Sequence, residues 1–272
     1  MDLMQQDQSS APLRRVQPAR GRWPWPLDLY RSAVGKKWAM AVTGIMLLGF
    51  VFAHMVGNLK VYLGSEAINH YGEWLRDIAV PALPRTVFLW MLRVGLIAAF
   101  AIHMHAAWAL TRMNHRARPT KYASGRDYIA ANFASRTMRW TGIIVILFLF
   151  FHLADLTWGS ANPEFVRGEV YHNLAYSFSR VPVAAVYIVA NLALAFHIYH
   201  GAWSLFASLG VSNPRVVRFR RQFATAFAGV ILVGNISFPI MVQAKVIEDH
   251  GHPTCSSASQ RVGCIGPKVG VD

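Results

Sequence analysis

Five stretches, at residues 37–58, 86–111, 140–158, 182–207 and 223–243, are each about 20 or more predominantly apolar residues long, and they limit what this chain can become. A segment of that length spans a hydrocarbon core of roughly 30 Å as a helix, the one single-segment structure that satisfies its own backbone there. The expectation is an all-α integral membrane bundle of five transmembrane helices. No sixth segment qualifies, and the pieces at 66–78 and 171–179 read as amphipathic helices lying at the interface. Three regions follow: a polar N-terminal segment at 1–35, a membrane domain at 36–246 and a tail at 247–272.

Charge supplies the orientation. A net charge of +14 would suggest nucleic acid in a soluble chain, but 54% of these residues are hydrophobic and only 15% charged. The positive residues sit between the apolar stretches. Arg14, Arg15, Arg20, Arg22, Arg31, Lys36 and Lys37 precede the first span. Arg112, Arg116, Arg118, Lys121, Arg126, Arg136 and Arg139 flank the second loop, and Arg215, Arg218, Arg220 and Arg221 crowd the fourth. The first and third loops are nearly balanced by Glu66, Glu73, Asp77, Glu164 and Glu169. The positive-inside rule then places the N-terminus in the cytoplasm and the C-terminus outside. No cleavable signal is evident, because residues 1–35 lack an apolar core. The two cysteines, Cys255 and Cys264, are too few for a four-thiolate iron–sulfur cluster and would face a compartment where a disulfide can form.

Histidines inside the spans carry the chemistry. His54, His103, His105, His152, His197 and His200 fall in the first four helices, and ionisable residues at such depth are functional by default. His54 lies six residues before Lys60, and His152 six before Trp158, so each sits roughly 9 Å below the outer end of its helix. His103 follows Arg85 by 18 residues and His197 follows Pro182 by 15, putting them roughly 27 and 22 Å down. Two levels, each with a pair of imidazoles, suit two bis-histidine haems b stacked across a bilayer. His105 points about 200° away from His103, so only one of the two faces a haem. His103 is preferred, and His197 over His200, whose role would be a hydrogen bond to a propionate or a quinone. Ala53, Gly57, Ala107, Ala154 and Gly201 would leave room for a macrocycle or simply let helices approach.

Other polar groups are candidates for the same sites. Arg93 lies near the level of the outer pair and suits a propionate, while Asp155 suits proton exchange with a quinone. An alternative is that these two pair with each other. Arg31, Ser32 and Lys36 would meet propionates or a quinone head group at the cytoplasmic side. No nucleotide-binding loop, catalytic triad or zinc motif appears in the sequence.

The stretch RSAVGKKWAMAVTGIMLLGFVFAHMVGNLKVY at 31–62 resembles the start of the single-anchor, dihaem cytochrome b subunits of succinate:quinone oxidoreductases, including bacterial fumarate reductases. AIHMHAAWALTRMNHRARPTKY at 101–122, RWTGIIVILFLFFH at 139–152 and FHIYHGAWSLFASLG at 196–210 resemble the next three helices of that family. The resemblance implies axial ligands at His54, His103, His152 and His197, with outer and inner pairs His54/His152 and His103/His197. Gly201 and Gly210 select His197 by the family's spacing. The family's glutamate for transmembrane proton movement would stand at Ala195, which puts such a path in doubt. Also implied are a bacterial cytoplasmic membrane, a flavoprotein and an iron–sulfur subunit on the cytoplasmic face, and electron transfer from succinate to a membrane quinone, with menaquinone the expected one. A cytochrome b of another respiratory dehydrogenase and a transporter or structural protein without haem are the competing readings.

Overall fold

The computed structural model describes residues 24–117, 129–211 and 213–248. Cys255, Cys264, Arg14, Arg15, Arg20, Arg22, Arg118, Lys121 and Arg126 lie outside the described residues. Those described form helices and turns, with no strand among them: α1 (Trp25–Arg31), α2 (Ala33–Asn58), α3 (Ser65–Asp77), α4 (Val87–Arg116), α5 (Ile129–Leu156), α6 (Val170–Ser179), α7 (Val181–Ser208) and α8 (Pro214–Gln243). Helices α2, α4, α5, α7 and α8 contain the five stretches long and apolar enough to cross a membrane. All five expected spans are therefore present.

The outer surface of the bundle is apolar. Ile97, Leu147 and Val233 are 65%, 65% and 66% exposed, as lipid-facing side chains would be. Inside, small residues let the helices approach: Ala99, Ala106, Ala190, Ala193, Ala195 and Ala202 are buried. Helix α2 packs along α4, α5 along α7, and α7 along α8. Met55 of α2 and Ile198 of α7 meet Ala228 and Ile231 of α8 in one cluster, and Asn235 donates to Asn191 across α8 and α7 at 2.9 Å.

One end of the bundle is closed by α3 and α6. Both elements match the amphipathic pieces expected at 66–78 and 171–179, but α6 is more than an interfacial helix. Its Asn173, Leu174, Ala175, Ser177 and Phe178 are buried, and Leu174 and Phe178 pack with Val61, Ile68, Tyr187 and Phe238 in a cluster under the cap. Asn69 of α3 donates to Glu169 at 2.7 Å and accepts from the Tyr171 amide at 3.0 Å, tying the two caps together.

The other end begins with α1, which the apolar pattern gave no reason to expect. Ser32 joins α1 to α2, its hydroxyl accepting from the Gly35 amide at 2.9 Å and donating to the Leu29 carbonyl at 2.7 Å. A Cβ on Gly35 would collide with that carbonyl, so the tight corner requires glycine.

Candidate functional site

Four helices bring the histidines to two levels. His54 lies four residues before the end of α2, and His152 four before the end of α5. His103 and His197 each lie sixteen residues beyond the first residue of α4 and α7. Because successive spans alternate in direction, α2 and α5 run the same way and so do α4 and α7, so that equal registers correspond to similar depths.

His54 and His152 face one another near the α3/α6 cap, with ring centres 5.9 Å apart and planes at 90°. An iron held by two imidazole nitrogens at about 2 Å each, with each ring centre about 1 Å behind its nitrogen, needs ring centres roughly 6 Å apart. The pair fits that requirement. His54 is exposed and His152 half-buried. Phe50 stacks on His54 at 5.3 Å and Phe148 tilts against His152 at 5.8 Å, so apolar rings flank both imidazoles.

Behind His152 stands a buried polar group that sequence reasoning missed as a unit. Nδ1 of His152 is 3.3 Å from the Tyr187 hydroxyl, which donates to Asp155 at 2.9 Å. Asp155 is fully buried and also accepts from Ser177 and, at 2.6 Å, from Arg180. Arg180 in turn donates to the Ala161 carbonyl at 2.9 Å. Asp155 is therefore not at the surface exchanging protons with a quinone, nor paired with Arg93. It is a carboxyl group held by three donors, Ser177, Tyr187 and Arg180, the last of which forms a salt bridge with it.

The deeper pair sits beside hydroxyls. Thr43 of α2 lies 3.2 Å from Nδ1 of His103, and Thr141 of α5 lies 3.4 Å from Nδ1 of His197. His200, one turn along α7, is 8% exposed. Its Nε2 lies 3.4 Å from Thr137, and its Nδ1 has no hydrogen-bond partner among the described residues. An orphaned buried nitrogen beside this pair is the kind of group a bound polar ligand satisfies.

The remaining candidates fall elsewhere. His105 is exposed and its Nδ1 lies 2.6 Å from the Tyr30 hydroxyl, on a different side of α4 from His103. Arg93 is exposed, with its guanidinium 5.0 Å over the Trp90 ring. Ser32 caps α2, while Lys36 donates to the Tyr30 and Arg31 carbonyls at 2.9 and 2.8 Å, closing the C-terminus of α1. Arg31 is exposed beside them. Gly57 makes room for the Tyr71 ring, which a Cβ there would meet at 2.7 Å, and not for a macrocycle.

Fold and site together define a class: a helical protein with five membrane-length apolar spans, four of which carry a histidine within the bundle. The chain is similar to the succinate dehydrogenase cytochrome b558 subunit of Bacillus subtilis (strain 168), with 26% identity over 181 residues, covering 65% of this chain and 81% of that protein. No family model matches the chain, and no solved structure does.

Proposed function

We propose that this chain is the membrane-anchor subunit of a succinate:quinone oxidoreductase, binding two haems b, one between His54 and His152 and one between His103 and His197. The observation that carries the reading is that four of the five spans each supply one histidine, with the His54 and His152 rings 5.9 Å apart and His103 and His197 at matching registers of α4 and α7. The similarity to a succinate dehydrogenase cytochrome b subunit supports the choice of complex. Haem b, when bound, supplies one-electron transfer between the two levels of the bundle.

The chain's own residues orient and insulate. Phe50 and Phe148 flank the His54/His152 pair with apolar rings, while Tyr187, Thr43 and Thr141 lie at Nδ1 of three of the four imidazoles. His200 is suited to donate to a propionate or to a quinone oxygen. The basic residues at the α1 end, Lys36, Arg112, Arg116 and Arg139 among them, make that end cytoplasmic by the positive-inside rule. The flavoprotein and iron–sulfur partners dock there, and the quinone, menaquinone in this reading, is reduced within the membrane. Succinate chemistry belongs to the partners.

The test is a pyridine haemochrome assay on the purified complex. Two haems b per chain are expected, falling to about one in His54→Ala and in His197→Ala. A wild-type chain without haem would overturn the assignment.

A further inference from the structure

Helices α2 and α5 carry the same pattern, M-x2-T-G-I-x4-F-x-F-x-H, at Met40 to His54 and again at Met138 to His152, with a constant offset of 98 residues. The sequence alone gives this little weight, because apolar helices share residues by composition. The structure gives it weight because the repeated residues make repeated contacts. Thr43 approaches Nδ1 of His103, and Thr141 approaches Nδ1 of His197. A Cβ on Gly44 would stand 3.6 Å from Cε1 of His103, and one on Gly142 would stand 3.5 Å from Cε1 of His197. In each copy the threonine-glycine pair forms a seat for an imidazole from the helix packed beside it, α4 or α7.

The direction of the hydrogen bond follows from where the threonine proton goes. Thr43 donates to the Ala39 carbonyl at 2.7 Å, and Thr141 to the Thr137 carbonyl at 2.9 Å. A hydroxyl has one proton, so toward the imidazole each oxygen can only accept. Nδ1 of His103 and of His197 must then carry the hydrogen, and in a neutral ring the Nε2 lone pair is left free.

Resting on the function proposed above, we infer that Thr43 and Thr141 are the positioning residues of the His103/His197 haem site: each accepts Nδ1–H and fixes the tautomer and ring plane that present Nε2 to iron. The α2–α4 and α5–α7 pairs are two copies of one unit. Each copy contributes one histidine to each level and seats its own deeper histidine.

The experiment compares Thr43→Val, Thr141→Val and the matching Thr→Ser variants in the intact complex. Its readouts are haem content, the low-spin ferric EPR signals and a redox titration resolving both haems. Valine keeps the shape and removes the hydroxyl acceptor, leaving the imidazole only its backbone partner, Met40 for His103 and Met138 for His197. Two haems should remain, with one EPR signal displaced and one midpoint potential raised, because an imidazole whose Nδ1–H loses its hydroxyl acceptor donates less electron density to ferric iron. The other haem should be unmoved, and serine should restore the wild-type values. Unchanged signals in the valine variants, equal displacement of both haems, or failure of serine to restore them would each overturn the inference. Absence of haem from the wild-type complex would instead overturn the proposed function itself.

Discussion

Tyr187 donates its hydroxyl proton to Asp155, 2.9 Å away, and turns its lone pair toward Nδ1 of His152 at 3.3 Å. The bond to the carboxyl group fixes the direction of the bond to the histidine, so His152 is backed by a tyrosine bonded to a buried carboxyl group. Tyr187→Phe removes the acceptor with little change in packing. A hydrogen bond worth about 1 kcal/mol corresponds to roughly 40 mV in a one-electron potential. The potential of the haem at His54/His152 should rise by that order in a redox titration, with haem content kept at two. Potentials unmoved in the variant would show that Tyr187 is structural only.

The Asp155–Arg180 ion pair ties the end of α5 to the start of α7. Removing one partner leaves the other buried and unpaired, and for fully buried pairs this costs about 3–5 kcal/mol. The Arg180 side chain is 25% exposed, so the lower end applies. Asp155→Ala should therefore lower the melting temperature of the detergent-solubilised complex markedly. Asp155→Asn, whose amide oxygen still accepts from Tyr187 or Arg180, should lower it less. Equal losses for the two variants would mean that packing, not the hydrogen bonds, is what Asp155 supplies.

Gly57, nearly one turn along α2 from His54, offers a check on helix packing at the capped end. A Cβ there would sit 2.7 Å from the Tyr71 ring, and that ring is half of a stacked pair with Trp74 at 5.8 Å. Gly57→Ala must push Tyr71 aside, an overpacking cost of about 1–3 kcal/mol. The expected outcome is a lower melting temperature with both haems retained. Loss of haem in this variant would place Gly57 at a haem edge after all.

Hydropathy made the five spans legible, because the bilayer demands one long apolar run per crossing and little else in a chain produces it. Helical rise alone matched His54 with His152 and set His103 and His197 deeper, since straight antiparallel helices turn sequence position into depth. Azimuth was harder to read. Arg93 stands near the right level yet faces outward over Trp90, and Gly57 faces Tyr71. The Asp155 group was hidden because Tyr187 and Arg180 come from α7 and its N-cap, 32 and 25 residues along the chain. Helix α1 escaped because seven residues of mixed polarity carry no usable period. The α2/α5 repeat was in the sequence, but only the duplicated Thr–His contacts distinguish it from shared composition.

Four histidines compete for the deeper pair, and the structure separates them by environment. His103 and His197 each have a threonine oxygen at Nδ1 and a glycine beside Cε1. His105 instead meets the Tyr30 hydroxyl at 2.6 Å on the exposed side of α4. His200 is buried with an unsatisfied Nδ1, an arrangement suited to contacting a ligand from the side and not to holding its iron. Phenylalanine at 103 or at 197 should therefore reduce the complex from two haems b to about one. His105→Phe should keep both with unchanged spectra. His200→Phe should keep both haems but weaken quinone reduction or displace one EPR signal, because the lost group is a hydrogen-bond donor and not a ligand. A one-haem complex from His105→Phe or His200→Phe, with two haems retained on substituting His103 or His197, would reassign the ligands of this level.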